Sequence, residues 1–394
     1  MTISLRAYST LGILLLLAVL VIFLVLRGRG VPPGIVLMNV DEIALSVADG
    51  SDDHEISPAF ITANPTSATV AIGTYYGNAL IADFESRSIT QVDLQFSGSA
   101  IAWSPDGAML LGKNVRQYSD PGPFCIYLRD SFSLNAVAET SESLLLAQDA
   151  AWISKNRFAV AEYFRPELVR EGERRPITVY RVEQDERIQQ FKIVEETSIE
   201  HGSFCDQIES LRFESETVLI SNSKPPSVWA FNERNDRTLQ WRRVAEFSEY
   251  LAFTNVFASR SGTRVLFGWN RTQAGDNVLG PLVDVKKRRF LSAFELGYNP
   301  QSGKHLVKSL WEVELPPVEY PDDGIRPGVF AISGDDEFAV VVSKDANLIL
   351  DMETGEVIGT LSGHFVCIDT LTNEPGIVAV TTDLRVVIIK KADH

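Results

Sequence analysis

The sequence has few of the residues that stabilise small secreted folds or hold metals. It contains three cysteines in 394 residues, Cys125, Cys205 and Cys367, and no two of them stand at a C-x-x-C spacing. An odd count excludes a complete disulfide framework, and the apolar or aromatic neighbours of each cysteine indicate small buried residues. One disulfide is still compatible with the count if the body faces an oxidising compartment.

Motifs of catalysis and cofactor binding are missing as well. The chain has no G-x-S-x-G, no phosphate-binding loop and no dinucleotide fingerprint. None of its five histidines stands at a metal-motif spacing from another, and the acidic run Asp52–Glu55 lacks the spacing of a calcium loop. We therefore predict no cofactor and no metal, and we interpret Asp52–Glu55 as a solvated turn. The sequence by itself does not predict an enzyme.

The chain also lacks positive charge. It carries 36 lysines and arginines against 52 acidic residues, for a formal net charge of -16. A body this acidic repels phosphate backbones, so nucleic acid is not a predicted partner. The basic run Lys286–Arg289 is interpreted as a hairpin turn, with anionic head groups or a partner protein as the alternative.

One long hydrophobic run is present at the N-terminus. Residues Leu11–Leu26 contain no charge, with Arg6 before them and Arg27 and Arg29 after them. Together with residues 7–10 they span about 30 Å as a helix, the thickness of a hydrocarbon core. We predict a transmembrane anchor over 1–30, a linker over 31–34 and a body over 35–394.

A cleaved signal peptide is the alternative for this segment. Arg6 and the terminal amine form a positive start, and Gly28 and Gly30 are small residues at suitable positions. Because Arg27 and Arg29 interrupt that site and the apolar run is long, we favour an uncleaved single-pass anchor. Its place at the extreme N-terminus favours a body outside the cytoplasm, in a periplasmic, lumenal or extracellular position.

The body repeats a pattern of short apolar runs separated by turn residues, with a period near 40 residues. Such a pattern is typical of a β-propeller with one four-stranded blade per repeat. Seven degenerate copies begin near Phe60, Ile101, Asp149, Ile208, Thr254, Gly328 and Val366. We predict an all-β, seven-bladed propeller, with six or eight blades as alternatives. The last copy stops before a fourth strand, and the strand-like segment Val36–Val47 is predicted to complete it and close the ring.

Two of these copies resemble the WD-repeat family of propellers. The resemblance lies in Ala102–Gly107 and in Ala331–His364, where Gly363-His364 is similar to the Gly-His pair that opens a WD repeat. Leu350-Asp351 stands where the family has Trp-Asp, so the hallmark tryptophan is absent. The resemblance implies a disc with a central channel, loops on two faces and binding of other proteins. Trp103 and Trp152 occupy matching positions and are predicted to pack between blades.

Two intervals interrupt the repeat and are candidates for partner binding. They are 163–176, which is rich in arginine, and 297–320, which is rich in aromatic residues. Long loops on a rigid scaffold commonly carry binding, and exposed Arg, Trp and Tyr are enriched at interface hot spots. The candidate residues are Arg165, Arg170, Arg174, Arg175, Tyr298, Trp311 and Tyr320. The alternative is a pair of solvated connectors.

The resulting functional hypothesis is a membrane-tethered propeller that acts as a protein-protein interaction scaffold in a membrane or envelope complex. Its partners would be other proteins, and residues 11–26 would hold it in the membrane. The alternative hypothesis is an enzyme or small-ligand binder that uses the central channel, since propeller sites assembled from scattered loops leave no linear motif.

Overall fold

A computed structural model describes most of the body and none of the N-terminal segment. The described residues are 37–45, 58–74, 77–96, 101–113, 124–129, 134–140, 147–162, 177–185, 190–199, 208–213, 216–221, 226–233, 239–247, 255–259, 262–271, 288–299, 304–315, 330–342, 347–371 and 374–392. They belong to one compact unit, Leu37–His394.

Within these residues the chain forms seven four-stranded antiparallel sheets, which are the blades of a propeller. The innermost strands of blades 1 to 7 are β2 (Pro58–Ala63), β6 (Ala102–Trp103), β10 (Ala147–Ser154), β14 (Ile208–Phe213), β18 (Asn255–Ala258), β22 (Phe330–Ile332) and β26 (Phe365–Thr370). The second strands are β3 (Thr69–Thr74), β7 (Met109–Lys113), β11 (Arg157–Glu162), β15 (Glu216–Ser221), β19 (Arg264–Arg271), β23 (Phe338–Val341) and β27 (Gly376–Thr381).

The outer half of each blade follows the same order. The third strands are β4 (Gly77–Asp83), β8 (Phe124–Arg129), β12 (Ile177–Asp185), β16 (Ser227–Glu233), β20 (Arg288–Asn299), β24 (Asn347–Asp351) and β28 (Arg385–Lys391). The outermost strands are β5 (Ser88–Phe96), β9 (Leu134–Glu139), β13 (Gln190–Ile199), β17 (Leu239–Glu246), β21 (Lys304–Leu315), β25 (Val357–Leu361) and, in blade 7, β1 (Leu37–Ala44). Seven blades confirm the predicted architecture.

The blades close into a ring through their innermost strands. Each innermost strand contacts those of the blades before and after it, and β26 of blade 7 contacts β2 of blade 1. The second strands are therefore sandwiched between neighbouring blades, and all residues of β3, β23 and β27 are buried. A strand buried on both faces carries a continuous apolar run, which explains the short hydrophobic runs of the sequence.

Blade 7 is completed by the first strand of the body. β1 pairs antiparallel with β28, from Leu37 opposite Lys391 to Ala44 opposite Arg385. This confirms the predicted role of the segment preceding the first repeat. Because the strand comes from one end of the chain and the rest of the blade from the other, ring closure joins the two ends of the body.

The closing strand is also packed against blade 1. Ile43 and Leu45 belong to a buried cluster that includes Val70 and Leu80 of blade 1 and Ile388 of β28. Burial of aliphatic side chains of this size contributes about 1.5–3 kcal/mol each. Closure therefore depends on apolar packing between blades 7 and 1 as well as on the β1–β28 backbone pairing.

Every outermost strand carries a β-bulge at its pairing with the third strand of its blade. In six blades one residue of the outer strand is left out of the register, and in blade 1 two are. The single residues are Val40, Val137, Glu196, Val244, Leu310 and Ile358. A bulge bends a strand and increases its twist, so these seven free edges are poor templates for pairing with another chain.

Blade 3 differs from its neighbours at this position because its bulged residue is charged. The Glu196 carboxylate accepts two hydrogen bonds from the Arg157 guanidinium of β11, from Nε at 2.7 Å and from a terminal nitrogen at 3.2 Å. Only 10% of the Arg157 side chain and 12% of the Glu196 side chain are exposed. A nearly buried, two-point ion pair thus stands where five other blades place an aliphatic side chain.

The predicted anchor and linker, residues 1–34, lie outside the described residues. In the part of the chain that the structure describes, no helix is long and apolar enough to cross a membrane. The anchor therefore stays a prediction from the sequence.

The first prediction concerns ring closure. Ile43→Ala should lower the free energy of unfolding by about 2–4 kcal/mol, because it removes buried methyl groups and leaves a cavity between blades 7 and 1. Val40→Ala on the same strand is the control, since Val40 is 46% exposed, and should change it by no more than about 0.5 kcal/mol. Urea denaturation measures both, and equal effects would contradict the closure role of β1.

The second prediction concerns the Arg157–Glu196 pair. Glu196→Ala should destabilise the fold by about 3–5 kcal/mol because it removes the two-point ion pair of a nearly buried guanidinium. Replacing both residues, Arg157→Leu with Glu196→Val, should restore most of the loss, since aliphatic residues fill this position elsewhere. The control is Glu183→Ala, which breaks partly exposed pairs with Arg181 and Lys192 and should cost about 1 kcal/mol or less. A double variant as unstable as Glu196→Ala would contradict the interpretation.

Candidate interaction surface

The propeller has two faces that differ in how the strands are connected. Because neighbouring strands run in opposite directions, the turns from first to second strand and from third to fourth strand lie on one side of each blade. We call this side the turn face. The connections from second to third strand and from one blade to the next lie on the other side, which we call the loop face.

Turns on the turn face are short, and those of blades 2 and 6 are held by internal hydrogen bonds. None of them exceeds five residues, and the first turns of blades 2 and 6 have the same geometry. In blade 2 the Ser104 hydroxyl donates to Asp106 Oδ1 at 2.6 Å and accepts from the Met109 amide at 2.9 Å. In blade 6 Ser333 makes the matching bonds to Asp335 and from Phe338. Such side-chain bonds to the local backbone hold each turn in one shape.

Neighbouring turns on this face also contact one another. Asn64 Nδ2 of blade 1 donates to the Gly107 carbonyl of blade 2 at 3.0 Å. Gly107 has a φ of 69°, and a Cβ there would stand 2.2 Å from the Thr66 hydroxyl and 2.4 Å from Asn64 Oδ1. Glycine is required at this contact for both reasons. The turn face is thus rigid where the structure describes it.

The loop face carries the long connections of the body. Five of them have ten residues or more, namely 45–57, 114–123, 163–176, 272–287 and 316–329. Each joins strand ends that lie on this face, and the flanking strands are held by the ladder of their blade. Long connections on a rigid scaffold are the usual carriers of binding residues in folds of this kind.

One predicted binding segment and one candidate residue of the other belong to this face. Residues 163–176, with Arg165, Arg170, Arg174 and Arg175, connect β11 to β12 in blade 3. Tyr320 falls in 316–329, which connects blade 5 to blade 6. These five residues lie outside the described residues, so their role stays a prediction. The basic residues Lys286 and Lys287 fall in 272–287, which also connects strand ends on the loop face.

The prediction that 297–320 is a loop is wrong over most of its length, whereas partner binding by its residues stays a prediction. β20 extends to Asn299, and β21 covers Lys304–Leu315, so both belong to the sheet of blade 5. Tyr298 pairs with His305 at the turn-face end of these strands. The sequence feature that indicates a strand here is the alternation of apolar and charged residues in β21. This alternation is typical of an outer strand with one face towards solvent.

Trp311 is a packing residue and not an exposed contact residue. It is 9% exposed, and its Nε1 donates to the Met352 carbonyl of blade 6 at 3.0 Å. Gly355, with a φ of 73°, packs under the indole so closely that a Cβ would lie 2.5 Å from the ring. The side chain therefore fastens the outer strand of blade 5 to the outer turn of blade 6.

Trp103 and Trp152 join blades at the inner strands in the same manner. Trp103 Nε1 donates to the Thr62 carbonyl of blade 1 at 3.2 Å, and Trp152 Nε1 to the Ala102 carbonyl of blade 2 at 2.9 Å. Both indoles are buried. The prediction that they pack between blades is confirmed.

Two carboxylates on the inner strands make similar links. Asp149 of blade 3 accepts from the Ile208 amide of blade 4 at 2.9 Å. Asp369 of blade 7, 8% exposed, accepts from the Ala63 amide of blade 1 at 2.9 Å. Each of these hydrogen bonds joins two neighbouring blades. A carboxylate that already accepts a backbone amide has fewer free acceptor positions for a ligand than a solvated carboxylate has.

The described cysteines are buried and free of disulfides. Cys125 and Cys367 are 4% and 0% exposed, as predicted, and Cys205 lies outside the described residues. Burial raises the pKa of the Cys367 thiol, and the nearby Asp369 carboxylate raises that pKa further. Since a thiol with a raised pKa is a poor nucleophile, Cys367 is inert at neutral pH. Over the described ranges no cluster of three His, Cys, Asp or Glu is placed to hold a metal ion.

Comparison with known proteins gives the fold and no family. No family model matches the chain, and no curated protein matches it. Among solved structures, the β-propeller domain of Cps50 (Swd1) from Myceliophteria thermophila matches with a TM-score of 0.57 and 10% identity, over 91% of this chain and 100% of that one. Hydrazine synthase from Kuenenia stuttgartiensis matches with a TM-score of 0.55 and 15% identity, over 88% and 99%. The chain is a seven-bladed β-propeller.

The third prediction separates packing from partner binding at Trp311. Trp311→Phe removes the indole donor and leaves the Met352 carbonyl buried without it, so unfolding free energy should fall by about 1–3 kcal/mol. Partner capture by the folded protein should be unchanged. Thermal denaturation and crosslinking yield measured on the same preparation test both parts. A normal stability with lost capture would show that Trp311 is a contact residue.

Proposed function

We propose that the protein is a membrane-tethered propeller scaffold in a membrane or envelope complex, and that partner proteins bind its loop face. The observation that carries the proposal is the asymmetry between the faces. All connections of ten residues or more join strand ends on the loop face, whereas connections on the turn face have five residues or fewer.

This asymmetry matters because long and short connections serve different purposes. Short turns with internal side-chain hydrogen bonds, such as Ser104–Met109, add rigidity and little surface. Long connections lengthen a fold without improving its core, and in compact domains they are commonly functional. Seven blades hold the ends of the long connections in fixed positions, which gives a partner a wide and defined surface.

The sequence of one connection favours a protein partner. Residues 163–176 contain four arginines, Arg165, Arg170, Arg174 and Arg175, and three glutamates, in a chain whose net charge is -16. Arginine is enriched at interface hot spots, and its planar guanidinium binds carboxylates at two points. We infer that these arginines contact an acidic patch on the partner.

The tether rests on the apolar run Leu11–Leu26. A chain anchored by such a helix is confined to the membrane surface, so its effective concentration towards other membrane proteins is high. The N-terminal position of the run favours a body outside the cytoplasm. Confinement of this kind lets a scaffold work with modest affinity for each partner.

Use of the central channel by an enzyme or small-ligand binder is the competing hypothesis. One of the similar folds comes from a protein named as an enzyme, so the fold permits either role. In the described residues, Asp149 and Asp369 each accept a backbone amide of the next blade. Over the described ranges, no cluster of metal-ligating side chains favours chemistry in the channel.

The fourth prediction tests the loop face with a photo-crosslinking amino acid in the full-length protein in its native membrane. Exposed positions on the loop face are His364 and Thr382, and exposed positions on the turn face are Asp106 and Glu353. Probes at the loop-face positions should capture a reproducible protein, because the partner covers that side. Probes at the turn-face positions should capture it several-fold less.

Charge reversal in 163–176 provides the matched variant. Arg170→Glu with Arg174→Glu should lower the loop-face yield, whereas Lys155→Glu, an exposed cation in a turn of the same blade, should not. Equal capture from both faces would contradict the assignment of the face. If no position captures a protein, the scaffold hypothesis is contradicted and the channel hypothesis is favoured.

A further inference from the structure

The loop-face end of blade 5 brings together arginines that are far apart in sequence. β19 ends at Arg271 and β20 begins at Arg288, so Arg288 and Arg289 start a strand and do not form a hairpin turn. Arg271 stands directly opposite Arg288 in the ladder, and Asn270 stands opposite Arg289. Residues directly opposite each other in an antiparallel pair belong to the same face of the sheet, and their Cα atoms are about 4.5–5.5 Å apart.

This end of the blade extends towards the loop face. The inner strand β18 begins at Asn255, which pairs with Gly268 of β19. β19 continues for three residues past this pair, which corresponds to about 10 Å of strand. Since Arg271 and Arg288 form the last pair of the ladder, they stand at the rim of the loop face.

An arginine directly opposite an arginine destabilises a sheet unless other charges compensate. Blade 3 has such compensation. Arg157 stands opposite Arg181 there, and the two guanidinium groups form ion pairs with Glu196 and Glu183, respectively. A like-charged pair in this fold is thus accompanied by one carboxylate for each arginine.

Blade 5 has less compensation within its ladder. Glu314 of β21 stands opposite Phe290, which makes it the diagonal neighbour of Arg288 and the one carboxylate of this ladder within that range. Residues 272–287 contain two lysines and two aspartates, so they leave the balance unchanged. Three arginines and one glutamate therefore meet at this rim, in a chain whose net charge is -16.

We propose that Arg271 and Arg288, together with Arg289, bind an acidic segment of the partner protein that covers the loop face. This inference rests on the proposed function and adds a second contact to the one inferred for 163–176. A guanidinium group binds a carboxylate at two points, and carboxylates from the partner offset the repulsion between the two opposite arginines. A local feature that costs stability is expected at a functional site.

The charge of the surrounding surface favours a short acidic segment over a membrane surface or a nucleic acid. Exposed carboxylates occur on the same face at the loop-face end of blade 7, where Glu42 and Asp383 lie. An extended polyanion would meet such groups as well as the arginines. A segment of a few residues stays within a Debye length, about 8 Å, of the arginines alone.

The test measures binding of a short fluorescent peptide of aspartate and glutamate to the full-length protein in neutral detergent micelles at physiological ionic strength. Arg271→Gln with Arg288→Gln should weaken binding by about tenfold or more, because each variant removes charge-assisted hydrogen bonds to carboxylates. The matched control is Arg242→Gln with Arg243→Gln, two exposed arginines on the outermost strand of blade 4. It changes the net charge equally and should alter binding by less than about twofold. A peptide of asparagine and glutamine should not bind.

Thermal unfolding of the same variants separates binding from a structural role. Arg271→Gln with Arg288→Gln should have a Tm at least as high as that of the unaltered protein, because the substitutions remove a like-charge pair. A Tm lower by several degrees would show that the arginines stabilise the blade, and it would overturn the proposal.

Two other outcomes would also overturn it. The first is equal binding of the acidic peptide before and after Arg271→Gln with Arg288→Gln, or an equal loss in the control. The second is tighter binding, through the same two arginines, to phosphatidylserine vesicles than to the peptide, which would assign the rim to a membrane. Photo-crosslinking from the loop face tests the proposed function separately, because the peptide assay gives its result whether or not a partner is captured.

Discussion

The pairing of β1 with β28 is the constraint on which the rest of the molecule depends. A ring of seven sheets closes only when the last blade is joined to the first. Here β1 from the start of the body completes blade 7, whose other strands come from its end. The buried cluster of Ile43, Val70 and Ile388 then joins blade 7 to blade 1. Each blade buries its central strands only because two neighbours cover it. An open ring would expose the apolar faces of both terminal blades, and the cooperativity of the whole fold follows from its closure.

Contacts between blades are made by residues about one repeat apart in sequence. The indoles of Trp103, Trp152 and Trp311 each donate to a backbone carbonyl of an adjacent blade, 41 to 50 positions away. These bonds remove buried polar groups from the spaces between sheets and fix the angle of one blade to the next. Bulges in the outermost strands serve the opposite need, since they make each free edge unsuitable for a further strand.

Sequence patterns predicted the repeat, the all-β class, the seven blades and the closing strand because strands buried on both faces give continuous apolar runs. They failed at 297–320, where the outermost strand β21 is partly exposed and mixes charges with apolar residues. They also failed for Trp311, because its contacts lie in the next blade. No neighbouring residue in the sequence indicates that the indole packs on Gly355 and donates to the Met352 carbonyl. The difference in connection length between the two faces could not be predicted either, because it depends on which strand ends each connection joins. The arginines of 163–176 remain predicted contacts.

The two faces of the body differ in their connections. Short turns and the first residue of β1, Leu37, lie on one face, and the long connections lie on the other. The most direct test of the central claim is proximity labelling of the full-length protein in its own membrane, with protease accessibility scored on the same sample. A scaffold outside the cytoplasm should give a reproducible set of membrane-protein neighbours and a body cleaved only by protease added to the non-cytoplasmic side. A labelled sample without specific neighbours, or a body released from the membrane intact, would contradict it.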